Sequence, residues 1–556
     1  MVDAERRKLL AGLGMVAAAS GIPFAALAYS AQGSDSKKVF DPRQYGARGD
    51  GQFLDSAAIN AAIDACARGG GGTVSLAPGI YRCGAVILKS NVTFNIGEGA
   101  TLLGSTNLDD YTANGGSENK HLIMAKDAEN VALLGTGRID GQGSAFWRRS
   151  GKTPMPPEEG WNDVIARYWE PSGPRPSPML NFVNCKGLRV EQLHIGGAAG
   201  WTMQLLNCDQ VGVRGVSVKN PNYGPNTDGM DIVGSSNVLI SDCSVDTGDD
   251  AIVLKSDKYS KAEPRLTRNI TVTNCVVTTC CNGLKIGTET QGGFENITFT
   301  DCSVINNDVS LRERVTSGIA LEIVDGGWID GVHISGIKMQ RTRTPIFIRL
   351  GSRSNKFDFS QHGLRNVTIE NVQASEAILT STITGVENAY VENVTLSNIK
   401  IDSAVAGQKD WVNRPVPEIP QKYPDSRMFG MPPASGLYCR HVRGLRLTDA
   451  TFRSPANEER PVMICDDVKG IKVFELSSTP TKGQEPVVKL IQCADVAISH
   501  STAPPGSKTY LAVEGRDSAS IVLSGCDLRG AKRPFETSGD VQPGAVTEND
   551  NGPTTP

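Results

Sequence analysis

Two short phrases in the middle of the chain bring acids together. Residues 226–229 read Asn-Thr-Asp-Gly, contributing Asn226 and Asp228, and residues 248–251 read Gly-Asp-Asp-Ala, contributing Asp249 and Asp250. Asp228 and Asp249 stand 21 residues apart, close to one short coil of a repeating chain. If that interval returns the backbone to the same face, two or three carboxyls converge from neighbouring rungs. Like charges packed together raise at least one pKa, so one carboxyl keeps its proton while the others stay ionised and can activate water. Inverting glycoside hydrolysis needs this division: an acid on the glycosidic oxygen and a base holding water on the opposite ring face, roughly 6.5–9.5 Å apart. Two plainer readings use the same residues. Asp and Asn favour turns, and an oxygen-rich Asp cluster also suits calcium.

A repeating scaffold is what would bring the two phrases together, and the sequence contains one. Asn followed by a β-branched residue, Thr and an apolar residue recurs at Asn91, Asn269, Asn296, Asn366 and Asn393, with looser copies at Asn130, Asn237 and Gly331. Asn269 to Asn296 and Asn366 to Asn393 are both steps of 27 residues. Each phrase alternates inward and outward side chains as a half-buried strand does. One unit cannot bury its own apolar face, but a stack of units can. Cys185, Cys208, Cys243, Cys275 and Cys302 each follow an Asn or Asp near the end of a phrase. They read as small buried fillers at equivalent positions, stacked about 4.8 Å apart, rather than as disulfide partners. The expected fold is all-β, a right-handed parallel β-helix over residues 38–535.

Residues 56–67 have helical apolar spacing and are expected to cap the N-terminal end, since an open solenoid end exposes strand edges. Residues 145–178 and 405–436 are Pro-rich, irregular and too long for plain turns; they carry most of the tryptophans. Residues 540–556 read as a disordered tail. At the start, Arg6 and Arg7 precede an apolar, Ala- and Gly-rich stretch ending at Ala28. That is the pattern of a cleavable export signal of twin-arginine type over residues 1–28, with a periplasmic or secreted product.

Composition narrows the partners. The 60 acidic and 56 basic residues nearly cancel, for a net charge of −4, which argues against a nucleic-acid binder. Beyond the N-terminus no long uncharged apolar run suggests stable membrane insertion. Thirteen cysteines in 556 residues are too few for a disulfide scaffold.

With these motifs in view, the chain resembles glycoside hydrolase family twenty-eight, the polygalacturonase family of the pectate-lyase-like superfamily. Residues 40–51, Ile139-Asp-Gly-Gln-Gly143 and Arg175-Pro176 are similar to that family, and Asn226-Thr-Asp228 and Gly248-Asp249-Asp250 are the most specific. The resemblance covers residues 38–480. It implies Asp249 as general acid, with Asp228 and Asp250 holding the nucleophilic water, and no metal or cofactor. Two departures stand out. The stretch corresponding to the family's Gly-His-Gly is Cys280-Cys-Asn-Gly-Leu-Lys-Ile-Gly-Thr-Glu289, so its histidine is missing, with Asn282 or Cys281 in its place. Its Arg-Ile-Lys, which grips a galacturonate carboxylate, falls at Gly318-Ile-Ala-Leu-Glu-Ile323, where both cations are gone and one position carries an acid; a Glu cannot hold a carboxylate as an Arg fork does.

Replacements are expected on neighbouring rungs. Asp228-Gly-Met230, Asp250-Ala-Ile-Val-Leu-Lys255, Gly283-Leu-Lys285, Gly318-Ile-Ala-Leu-Glu322 and Pro345-Ile-Phe-Ile-Arg349 read as copies of one strand. Asn226, Lys255, Asn282, Lys285, Glu289, Glu322 and Arg349 are therefore the expected substrate-binding residues, with Arg353 beside them; His441 could return an imidazole from a later coil. The expected partner is a pectin-type or related polysaccharide or oligosaccharide. Elimination by a lyase on the same scaffold, and a carbohydrate-binding β-helix without catalysis, are the alternatives.

Overall fold

The computed structural model describes residues 38–111, 120–256, 265–306, 310–353, 362–482 and 485–552. The repeated Asn phrase explains most of what it contains. Asn237, Asn269, Asn296, Asn366 and Asn393 all have φ between 52° and 58°, a left-handed conformation that Asn tolerates better than other side chains. Each turns the chain into a strand and stacks its amide on the rung before. Asn269 Nδ2 donates to Asn237 Oδ1 at 2.9 Å, Asn296 to Asn269 at 2.9 Å and Asn393 to Asn366 at 3.1 Å.

The stacked strands form one 39-stranded sheet, each strand pairing in parallel with the next coil, as in a parallel β-helix. Nine strands of one face matter for the site. They are β1 (Leu180–Val183), β2 (Met203–Leu206), β3 (Met230–Val233), β4 (Ile252–Ser256), β5 (Asn282–Thr290), β6 (Val315–Ile323), β7 (Thr342–Leu350), β8 (Ser381–Thr384) and β9 (Leu437–Arg453). Ile232, Leu254, Ile286, Leu321, Ile348, Ile383 and Cys439 are register partners in succession. All are fully buried. A column of branched side chains buried at every rung gives about 1.5–3 kcal/mol per residue, and it fixes register, because a one-residue slip would turn the whole column outward. The copies of one strand read from the sequence are in this register: Met230, Ile252, Leu284, Ile319 and Ile346 align.

The cap is a helix, α1 (Ser56–Arg68), whose buried face includes Ala58, Ile59, Ala62, Ile63 and Cys66. All thirteen cysteines are free, and all but Cys281 are buried. Residues 145–178 are not wholly irregular, since Trp147–Arg149 pairs antiparallel with Trp169–Pro171. The expected tail needs correction. Val546–Asn549 pairs with Ala519–Ser524, so the solenoid runs past residue 535. The segment Val-Thr-Glu-Asn has no apolar alternation to announce it; pairing to a preformed edge makes it a strand. The export signal read over residues 1–28 lies outside the described residues; among the described residues, no helix is long and apolar enough to cross a membrane.

Candidate active site

The two acid phrases meet because the coil between them is one rung long. Gly229 N donates to Asp250 O at 2.9 Å, and Thr202 N donates to Asp228 O at 2.9 Å. Asp250 thus lies directly above Asp228 and shares its column with Asn282, Ser317 and Thr344. The interval that superposes two acids is 22 residues, from Asp228 to Asp250, and Asp249 flanks the pair. Thr227 locks the phrases together: its hydroxyl donates to Gly224 O at 3.0 Å and accepts from Gly248 N at 3.1 Å. Gly229 allows the close approach, since a Cβ there would lie 2.4 Å from Ala251 O.

The acids differ in environment. Asp249 is half-buried while Asp228 and Asp250 are buried. Burial, and then the neighbouring Asp250 charge, pushes the Asp249 carboxyl up. Burial also pushes Asp228 well up, reinforced by Asp249 and Asp231. Asp250 goes the other way. Its burial penalty is outweighed by Lys285 and Lys255 and by a hydrogen bond from Asn282, which together hold it below the usual carboxylate range. Asn282 donates to Asp250 Oδ1 through Nδ2 at 2.8 Å and through its backbone N at 3.2 Å. The carboxyls of Asp249 and Asp250 and the Cys281 thiol have ligand atoms within 4.8 Å of one another. The site therefore biases two neighbouring acids in opposite directions, Asp249 toward holding its proton and Asp250 toward losing it.

Strand alternation sends the next side chains to the same face. Met230 and Ile232 enter the core, so Asp231 points outward, in register with Val253, Lys285 and Ala320. Lys255 Nζ lies 2.7 Å from Asp231 Oδ1 and 3.6 Å from both Asp228 and Glu289; it also lies 3.7 Å from the centre of the Trp201 ring. Lys285 Nζ bridges Asp250 at 2.9 Å and Glu322 at 3.3 Å. Burial raises Asp231 to about 7 and Glu322 to about 8, against the pull of Lys255 and Lys285 respectively. Glu289 arrives through a bulge. Leu254 pairs with Ile286 but Ser256 pairs with Thr290, so β5 carries extra residues opposite β4. The extra length redirects a side chain, as bulges beside functional sites do.

Asp228, Asp249, Asp250, Lys255, Asn282, Lys285, Glu289 and Glu322 are thus gathered on one face. Asn226 borders them, its Oδ1 accepting from Arg175 Nη2 at 3.0 Å. Arg349 requires a correction. It is 1% exposed, and its guanidinium donates to Gly385 O at 3.0 Å and Glu418 O at 2.7 Å. It straps residues 405–436 to the sheet and has no donors turned toward a substrate. His441 is likewise occupied, between Asp467 at 2.7 Å and Glu418 at 3.0 Å, and Arg353 is paired with Asp325. Sequence reasoning missed Asp231, which alternation from Met230 could have found, and Trp201, which stacks one rung below Asp228.

The profile of glycosyl hydrolases family 28 matches residues 76–418. A probable polygalacturonase of Vitis vinifera is 22% identical over 391 residues, covering 66% of this chain and 74% of that protein. An endo-polygalacturonase of Pectobacterium carotovorum subsp. carotovorum is 25% identical over 420 residues, covering 72% of this chain and 95% of that protein. Among solved structures, a hyperthermoactive exopolygalacturonase from Thermotoga maritima shares the fold, with a TM-score of 0.55 and 24% identity over 66% of this chain and 87% of that one. With more than half its length matched, the chain belongs to glycosyl hydrolases family 28.

Proposed function

We propose that the protein hydrolyses O-glycosidic bonds of a pectin-type polysaccharide or oligosaccharide with inversion, using Asp249 as general acid and Asp250 as general base, with Asp228 helping to hold the water. The observation that carries this reading is the contrasting setting of two adjacent acids, Asp249 half-buried and Asp250 buried, hydrogen-bonded by Asn282 at 2.8 Å and paired with Lys285 at 2.9 Å. In the step, Asp249 gives its proton to the glycosidic oxygen as the bond to the anomeric carbon breaks. Asp250 takes a proton from the water whose oxygen bonds to that carbon, so one product leaves as an alcohol and the other as a hemiacetal of inverted configuration. The likeness to a probable polygalacturonase and an endo-polygalacturonase supports the pectic class. We also read residues 1–28 as an export signal, with catalysis in the periplasm or outside the cell; N-terminal sequencing of the mature protein tests that.

The enzymatic test is reducing-sugar release from pectic fractions by the native protein and by Asp249→Asn. A loss of about a hundredfold or more is expected for removing the acid, with proton NMR of the first product giving the inverted anomer. Unchanged turnover by Asp249→Asn, or a retained anomer, contradicts the assignment. Ultraviolet-absorbing unsaturated products would instead identify elimination.

A further inference from the structure

Among the described residues, the cations around the acid pair are already engaged. Lys285 is 1% exposed and held between Asp250 and Glu322, and Lys255 is 5% exposed and held by Asp228, Asp231 and Glu289. Arg349 and Arg353 are engaged as described, and Arg427 forks onto Asp425 while donating to Asn162 O at 2.8 Å. Arg175 donates to Ala199 O at 2.8 Å, to Pro225 O at 2.9 Å and to Asn226, and its charge faces Asp228 and Asp249.

Charge counting leads to the same point. If Asp228, Asp231, Asp249 and Glu322 all carry protons, Asp250 and Glu289 still match Lys255 and Lys285 one for one. Among the described residues, Arg175 is a further cation facing these acids, and it is turned to Asp228 and Asp249. A carboxylate brought into such a water-poor cleft needs a cation or a fork of donors to offset its desolvation, and beside Lys285 the register neighbour is the methyl of Ala320. A sugar hydroxyl makes no such demand, and it can donate to the half-buried Asp249 or the ionised Asp250. Tyr423 is 53% exposed, with the Arg353 guanidinium 5.5 Å from its ring centre, and an exposed aromatic face can cover the apolar face of a sugar ring.

We propose that the sugar seated over Lys285 and Glu322, whose anomeric carbon the Asp250-held water attacks, is a neutral glycosyl residue and not a uronate. This deepens the hydrolase reading and rests on it. Glu322 is the specificity-determining residue: it stands 3.3 Å from Lys285 where the family would place a cation, and it offers a uronate carboxylate none.

The test uses the full chain on three substrates: polygalacturonate, the same polymer with its carboxyls chemically reduced to primary alcohols, and a rhamnose-containing pectic fraction. Newly formed reducing ends are labelled with borodeuteride and identified by mass spectrometry. Neutral sugars at the new reducing ends are expected, with kcat/KM on any cleaved neutral-sugar substrate at least about tenfold above that on polygalacturonate. Uronate at the new ends, with native polygalacturonate the preferred substrate, overturns the neutral-sugar assignment and leaves the hydrolase reading intact. If no fraction gains reducing ends, the hydrolase reading falls and this inference falls with it.

Discussion

The ammonium of Lys285 lies 2.9 Å from Asp250 Oδ2, and both side chains are almost wholly excluded from solvent. A buried carboxylate left alone would take up a proton; here a lysine from the next rung keeps it ionised in a position where it can receive one. Lys285 stands one strand before the family's cation pair, at the register position of Ala320. On the proposed reading, the lysine serves Asp250 as the base and not the ligand.

Replacing Lys285 by Met should expose that dependence. Asp250 would lose its main charge support, its pKa would rise, and the acidic limb of kcat/KM should move to higher pH, with activity at neutral pH falling about a hundredfold or more. Because one partner of a buried pair is removed, stability should fall by about 3–5 kcal/mol. A kcat/KM profile over pH 4–8, beside thermal melts, checks both. A variant equally unstable but with an unmoved acidic limb would assign Lys285 a structural role only.

The raised carboxyls predict how stability varies with pH. Asp231 titrates at about 7 and Glu322 at about 8 in the folded protein, against about 4 for exposed carboxyls. Between these values the folded state binds more protons than the unfolded one, so stability falls as pH rises. The melting temperature should decline from pH 5 to pH 8. Glu322→Gln cannot ionise, so it should flatten the upper part of that decline. Melts of both proteins across this range would show it, and parallel curves would mean that Glu322 does not titrate there.

How far the chain announced this site depends on which face each residue addresses. The Asn phrase and the copies of one strand carried the register, because the left-handed Asn and the buried branched column recur at every coil. Asp228, Asp249, Asp250, Lys285 and Glu322 follow from that register alone. The interval was misjudged by one residue, since Asp250, not Asp249, superposes on Asp228. Arg349 shows the limit. Alternation puts it on the cleft face, but residues 405–436 cover that part of the face, a long-range contact with no local signature. Glu289 depends on a bulge and Val546–Asn549 on a neighbouring edge, and neither leaves a periodic trace.

The bulge gives a further prediction. Gly287 has φ +116°, and a Cβ there would lie 2.3 Å from Glu322 O. Gly287→Ala must therefore push β5 away from β6, straining a backbone conformation that costs about 1–3 kcal/mol for a residue with a side chain. Glu289 should be displaced from Lys255. A lower melting temperature together with a lower kcat is expected; a wild-type kcat in a merely less stable protein would remove Glu289 from the catalytic arrangement.

Arg349 holds the loop over residues 405–436 through carbonyls, so the strap depends on its donors as well as its bulk. Its guanidinium reaches Thr384 Oγ1 at 3.3 Å and Gly385 O at 3.0 Å on one side and Glu418 O on the other, with the Phe429 ring centre 5.5 Å away. Arg349→Met keeps the stem but leaves buried carbonyls unpaired, at about 1–3 kcal/mol for each group that water cannot reach. The loop itself has further ties, Arg440 to Val416 O at 2.8 Å and His441 to Glu418, so the solenoid should stay folded while the loop loosens. Limited proteolysis should then cut within residues 405–436 several times faster than in the parent, with the rest of the chain protected. Because Tyr423 rides on this loop, KM should rise more than kcat falls. Unchanged proteolysis would mean that the remaining ties suffice, and a kcat loss with KM unmoved would mean that Arg349 acts on the acid pair and not through the loop.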